Sequence, residues 1–322
     1  MQGIWLENQT LSLRHDLAIP KPSSGEALVK VLHAGICNTD LELVKGYYPY
    51  QGILGHEFVG IVEQGPAHLL HKRVVGEINV GCGQCEWCQR HCHNHCPNRT
   101  VLGIVNHHGA FAEYLVLPPE NLHCVPDTVS NDEAIFTEPL AAALEIQQQL
   151  SIKPNDKILV LGAGKLGLLI AQTLKLRGCE LLVMDRNPEK IDLLSTWGIA
   201  GELFNAASAR SAYFDVVVEC TGNPEGAQLA LRSVKPRGRI VLKSTYAAPL
   251  TIDAAQIVVN EIQLIGSRCG PFKPALQLLA DKLIQVSPLV QAHYPLAQGL
   301  EAFKKAEERK ALKVIVTNEV KI

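Results

Sequence analysis

The chain has 322 residues, enough for about two domains at roughly 150 residues each. Its composition is ordinary for a globular protein, 47% hydrophobic and 19% charged, and a net charge of −2 leaves no large basic field to capture nucleic acid. The apolar runs are too short to span a bilayer, and the opening MQGIWLENQTL lacks a basic segment followed by an apolar stretch, so no secretory leader is expected.

Ten cysteines without a leader read as reduced thiols, which places the chain in the cytoplasm. Through about residue 145 the sequence reads as short strands and turns. Ala27–Leu32 is apolar and β-branched and is followed by a turn-like Gly35. Phe58–Val62 is a second strand. Phe111–Leu117 is a third, and it stops at Pro118 and Pro119, through which a strand cannot continue. This predicts a β-rich domain.

Within it, the segment GCGQCEWCQRHCHNHCP sets Cys82, Cys85, Cys88 and Cys96 at the spacing C-x2-C-x2-C-x7-C. Four thiolates close the tetrahedral shell of a structural zinc. The segment has few large apolar residues, so a metal has to order it. Cys92, His91, His93 and His95 lie in the same loop as competing ligands. Cys179, Cys220 and Cys269 sit among apolar residues and read as core or near-core thiols.

From about Ser151 the pattern changes to strands alternating with helices. Lys157–Leu161 is a buried strand, and Lys165–Arg177 has apolar residues at helical spacing. Further strands are predicted at Glu180–Met184, Glu202–Phe204, Asp215–Cys220, Arg239–Lys243 and Ile262–Ile265. Six strands with intervening helices describe a doubly wound parallel sheet. The last part of the chain predicts helices over Pro274–Leu283 and around Leu300–Glu308, then a strand over Lys313–Thr317.

Gly162-x-Gly164-x-x-Gly167 follows the first of these strands and opens a helix. Gly162 permits the tight turn, Gly164 lets the backbone approach a pyrophosphate, and Gly167 lets helix and strand pack closely. Lys165 and Leu166 belong to the helix N-terminus, whose N–H groups and positive dipole end face the phosphates. Asp185, at the end of the next strand, suits the adenosine ribose hydroxyls and repels a 2′-phosphate, which favours NAD over NADP. Arg186 follows directly, as a partner for adenine or for a phosphate, and keeps NADP open.

Three more segments carry ligand-type residues: Gly35-Ile36-Cys37-Asn38-Thr39-Asp40, Gly55-His56-Glu57 and Thr137-Glu138-Pro139-Leu140. Spacing alone does not join them. With the cysteine loop, the glycine fingerprint, Gly109–Tyr114 and Glu219-Cys220-Thr221-Gly222, they resemble the zinc-dependent medium-chain dehydrogenase/reductase family over essentially the whole chain. The Glu-Pro-Leu run looks like the sorbitol, glucose and threonine dehydrogenase branch.

The resemblance implies an α/β protein with a GroES-like β-barrel catalytic domain over 1–145 and 271–322. A Rossmann NAD(P)-binding domain is then inserted over 146–270. It implies a catalytic zinc held by Cys37 and His56, with Glu57 and Glu138 both as candidates to complete the set. It implies hydride transfer between an alcohol or polyol, or the matching carbonyl, and a nicotinamide cofactor. Thr39 matches the hydroxyl that takes the substrate proton, and Asp40 is placed to orient His56. Many members carry a histidine five residues after the zinc cysteine. Here that position is Glu42, so either Glu42 takes over or the relay ends in water through the ribose hydroxyls, with Glu42 then simply an exposed helix residue. The stretch Gly65–Val75 lacks the usual Gly-Asp pair, so the barrel loop there is expected to be trimmed.

Thr221 and Arg268 are further candidates for cofactor contact. Tyr47, Tyr48, Asn106, Phe111 and Arg268 are candidates for the substrate pocket, and none of them names the alcohol. Relatives form dimers or tetramers, and Pro249–Leu264, with its apolar Ile257–Val259, is the candidate contact. The competing readings are an NADPH-dependent carbonyl reductase at the same site and an inactive binding protein that keeps the fold.

Overall fold

The structure, a computed structural model, describes residues 1–205, 210–245, 250–308 and 310–318. It divides into two units, Met1–Glu138 with Phe272–Ile322, and Pro139–Pro271. The boundary between the two units falls inside a helix, Thr137–Gln149. No helix of the described residues is long and apolar enough to cross a membrane.

In the first unit the central strand is Ala27–Gly35, buried along most of its length on both faces. Along one edge it pairs antiparallel with Glu57–Gln64. Along the other it pairs with Tyr114–Leu117 near its start and with Lys313–Thr317 at its end. Val290–Pro295 continues the sheet past Lys313–Thr317, and Arg73–Gly76 and Leu122–Cys124 continue it past Glu57–Gln64. Gly35 is therefore not in a turn. It is the last residue of the strand, opposite Glu57 on one side and Ile315 on the other. Asn79–Val80 pairs with Thr100–Val101 and ties the two ends of the cysteine loop together.

The second unit holds six parallel strands. In chain order they are Lys157–Leu161, Glu180–Asp185, Ala200–Leu203, Phe214–Glu219, Val234–Leu242 and Gln263–Gly266. Their spatial order is third, second, first, fourth, fifth, sixth, so the switch point lies between the first and the fourth. Ligands bind in such sheets beyond the C-terminal strand ends at that point. The helix Lys165–Lys175 is buried continuously from Gly167 to Leu174, Gln172 and Thr173 included. A helix apolar nearly all round belongs in a core.

Helix ends differ from the periodicity for local reasons. The predicted helix over Pro274–Leu283 runs Phe272–Ala280. Pro274 is tolerated in its first turn, where an N–H has no intrahelical partner. Lys282, at φ 56°, is in the left-handed region, which no α-helix continues through. Within the expected self-contact segment, Pro249 lies outside the described residues. Ile257 is partly buried against the sheet core, while Val258 and Val259 are 75% and 79% exposed.

Candidate active site

The structure brings Cys37, His56 and Glu57 together, with one ligand-type atom of each within 4.8 Å of the others. Cys37 is the N-cap of the short helix Asn38–Val44. His56 and Glu57 come from the start of the neighbouring strand, and both are almost fully buried. Glu138, on the first turn of Thr137–Gln149, is not part of this group. A soft thiolate, an imidazole and a carboxylate form a donor set that suits zinc and leaves a fourth position open.

Asp40 has two connections. Its Oδ2 accepts from Cys37 N at 2.8 Å, which fixes the helix start. Its Oδ1 lies 3.2 Å from His56 Nδ1, close enough for an ion pair although not aligned as a hydrogen bond. Burial opposes a charge on His56, but Asp40 and Cys37 outweigh it and raise the imidazole pKa well above its ordinary value. A metal bound at this imidazole would displace the proton that Asp40 and Cys37 favour there. Thr39 Oγ1 is 3.8 Å from Cys37 Sγ. Glu42 lies one turn further along and holds Lys45 at 2.9 Å.

Lys313 escaped the sequence reading. Its ammonium donates to Glu57 Oε2 in a fully buried ion pair. Burial opposes its charge, but Glu57, Cys37 and Glu138 together raise its pKa above the ordinary lysine value. Glycine at position 35 makes room for this pair, since a Cβ there would lie 2.7 Å from Glu57 Oε2 and 3.1 Å from Lys313 Cδ. The signal in the sequence is a lysine opening an otherwise apolar strand, Lys-Val-Ile-Val-Thr.

The cysteine loop forms the second metal-type group. Cys82, Cys85, Cys88 and Cys96 converge within 4.8 Å, and Cys92, His91, His93 and His95 are not part of the group. Cys92 donates instead to Arg90 O at 3.4 Å. Backbone amides of Gln84 and Cys85 pull the Cys82 thiol down to about 6, while burial pushes Cys88 up to about 12. Cys82 N also donates to Cys96 Sγ at 3.4 Å. Four convergent sulfurs with amide donors fit a closed tetrahedral zinc.

In the second unit the glycine run forms the turn between the strand Lys157–Leu161 and the helix Lys165–Lys175. Gly162 has φ +97°. A Cβ on Gly167 would collide with Gly162 O, so helix and turn touch there. A Cβ on Gly164 would meet nothing within 4 Å, so the space over that residue is open. Gly164 is also the N-cap and brings no side chain to the helix end, where Lys165 and Leu166 begin the first turn. Asp185 closes the strand beside it, with Oδ2 accepting from Ala163 N at 2.7 Å and Oδ1 from Asn187 N at 2.8 Å. Arg186 is held by Glu225 at 2.8 Å and lies over Phe204. Thr221 donates to Glu219 at 2.5 Å. Arg268 is exposed, and its carbonyl accepts from Lys243 Nζ at 3.0 Å.

Among the pocket candidates, which are equally open to a packing role, Phe111 packs. It is fully buried and packs edge-on against Phe303, so it is a core residue. Tyr47 and Tyr48 are 42% and 43% exposed, and Asn106 sits in a turn at φ 48°.

Comparison with known proteins agrees with this geometry. Residues 23–127 match the alcohol dehydrogenase GroES-like domain, and residues 166–281 match the zinc-binding dehydrogenase domain. The chain is 30% identical over 285 residues to an L-threonine 3-dehydrogenase of Anaeromyxobacter dehalogenans, covering 82% of this chain and 80% of that protein. It is 29% identical over 325 residues to a sorbitol dehydrogenase of Halalkalibacterium halodurans, covering 92% and 93%. Among solved structures, a zinc-binding dehydrogenase from Sinorhizobium meliloti 1021 bound to NADP superposes with a TM-score of 0.89 at 28% identity, covering 98% of each chain.

Proposed function

The chain belongs to the zinc-containing medium-chain dehydrogenase/reductase family, and we propose that Cys37, His56 and Glu57 carry its NAD(P)-linked alcohol or polyol dehydrogenase activity. The convergence of these three side chains in one buried pocket is the observation that supports this reading. A zinc bound there would supply the Lewis acidity that acidifies a substrate hydroxyl, and bound NAD(P) the hydride acceptor.

The chain's own residues do the rest. Asp40 holds the helix start on which Cys37 sits and faces His56. Lys313 balances Glu57 inside the pocket. Thr39, beside Cys37, takes the hydroxyl proton of the substrate, and Glu42, one turn on, receives it. Glu138 tunes the charge of the same pocket through Lys313. Gly162, Gly164 and Gly167 admit the pyrophosphate, Asp185 meets the adenosine ribose and favours NAD, and Arg186, Thr221 and Arg268 border the cofactor.

Polyols and hydroxy amino acids are the substrate classes favoured by the sorbitol and threonine dehydrogenase relatives. Self-association through the sheet edge is supported by the exposed Val258 and Val259 beside the edge strand Gln263–Gly266. A cytoplasmic location is supported by ten cysteines outside any disulfide.

The deciding experiment combines zinc stoichiometry with cofactor reduction across polyols, sugars, threonine and primary alcohols. About two zinc ions per chain are expected, one for each group of ligands. Cys37→Ser should lose one of them and at least about 100-fold in activity. A variant that keeps both its zinc content and its turnover overturns the assignment.

A further inference from the structure

The strand Val234–Leu242 is interrupted. Val234 pairs with Phe214, the register then shifts, and pairing resumes with Arg239 opposite Val216. The residues between form a fixed curl. Arg237 is left-handed at φ 62°, and its N–H donates to Asn260 O at 2.6 Å. Gly238 has no room for a Cβ, which would lie 2.5 Å from Val234 Cγ2 and 2.9 Å from Lys235 O. The curl walls a cavity of about 420 Å³, completed by the segment Ser151–Asp156 and by Asp215.

We propose that this cavity is a second anion site, which takes a phosphate-bearing small molecule and is separate from the dinucleotide loop. Its lining carries four cations, Lys153, Lys235, Arg237 and Arg239, against two carboxylates, Asp156 and Asp215. Both carboxylates are already committed. Asp215 accepts from Lys157 N at 2.8 Å and from Lys235 Nζ at 3.0 Å. Asp156 accepts from Lys153 N at 2.9 Å and faces Arg239 Nη2 at 3.5 Å.

The cations are less fully used. The Lys153 side chain has no partner among the described residues. Arg237 meets Glu261 at 3.3 Å, but the two side chains are 83% and 71% exposed, and such a pair contributes little and yields to a better ligand. Even with Glu261 counted, the site stays net positive, in a chain whose overall charge is −2.

Guanidinium forks and ammonium groups converging on a polar hollow suit phosphate oxygens. The volume falls within the range of roughly 300–1,000 Å³ usual for small-molecule sites, so it holds more than a bare ion. Its position separates it from the cofactor. Asp156 precedes the strand Lys157–Leu161, whereas the glycine loop follows that strand. Five residues of strand put roughly 16 Å between the two ends.

The test uses the full chain loaded with zinc and saturated with NADH, so that the dinucleotide site is filled. Inorganic tripolyphosphate is titrated in and the heat of binding recorded. One site per chain is expected, persisting under NADH, with citrate binding at least tenfold more weakly. Lys153→Glu with Arg237→Glu should weaken tripolyphosphate at least tenfold and leave turnover unchanged. Arg237→Gly, which relieves the left-handed backbone, should fold normally and still weaken binding. No binding at millimolar ligand overturns the proposal. So do binding that disappears when NADH is added, equal affinity for citrate, and affinity untouched by the charge reversals.

Discussion

Lys313 and Glu57, 256 residues apart in the sequence, form an ion pair in which both side chains are 1% exposed. Desolvating two charges is costly, and the pair stands because each charge is the other's compensation. The pair also fixes the end of the strand Lys313–Thr317 against the residue that follows His56.

In the metal-free protein, Lys313→Met should therefore cost about 3–5 kcal/mol of stability, because it leaves Glu57 charged and unpaired in the interior. The double variant Glu57→Gln with Lys313→Met should recover part of that loss. Urea unfolding of the two single variants and the double variant measures the coupling. Additive losses would show that the two side chains do not act as a pair.

Asp185→Ala removes the carboxylate proposed to meet the adenosine ribose, and with it two backbone acceptor contacts, to Ala163 and Asn187. The ratio of kcat/KM for NAD over NADP should fall by about tenfold, a difference of about 1.4 kcal/mol. An unchanged ratio would remove Asp185 from cofactor selection.

Two glycines of the fingerprint should respond differently to the same added methyl group. Gly167→Ala places a Cβ against Gly162 O and should lower the melting temperature of the nucleotide unit along with cofactor affinity. Gly164→Ala points into open space and should leave the melting temperature unchanged while weakening NADH binding, because the methyl occupies the approach of the pyrophosphate. Calorimetry and NADH fluorescence titration on both variants separate packing from ligand approach.

Acid stability should depend on Glu133, which accepts from Lys282 Nζ and from Ser130 N, at 2.7 and 2.8 Å. Burial alone would raise its pKa, but Lys282 and Ser130 outweigh it and hold the carboxyl below its ordinary value. A depressed pKa in the folded state gives stability that is present above the unfolded pKa of about 4.3 and lost as pH falls through the folded value. Unfolding free energy followed from pH 6 to pH 3 should fall less steeply in Glu133→Gln than in the parent. Parallel curves would exclude this carboxylate from acid unfolding.

Some features rest on residues close along the chain, and these are legible in the sequence. The four zinc-type cysteines lie within one loop of 15 residues, Cys82 to Cys96, so their spacing alone announces the site. The glycine fingerprint and Asp185 are joined by one strand–turn–helix–strand unit, whose geometry the backbone dictates. The strands Lys157–Leu161 and Lys313–Thr317 have the bounds that the sequence predicts, because apolar runs between turn residues carry their own limits.

Other features depend on which strand lies beside which. Gly35 reads as a turn residue, and pairing on both sides makes it the end of a strand. Phe111 reads as a pocket residue, and Phe303 from the far end of the chain makes it core. Glu57 and Glu138 are equivalent candidates by sequence, and strand register puts Glu57 with Cys37 and His56. Lys313 acquires its role only because the last strand pairs beside the strand that ends at Gly35. The sequence by itself thus determined the structural metal loop and the dinucleotide turn, because each is written in residues close together along the chain, and the family, because those motifs stand in one order along its length. Only the tertiary structure decided the buried charge balance of the reactive pocket and the basic cavity at the opposite end of the nucleotide sheet. Both arise from side chains that meet through sheet pairing, and a charge in the interior acquires its partner only when the strands close around it.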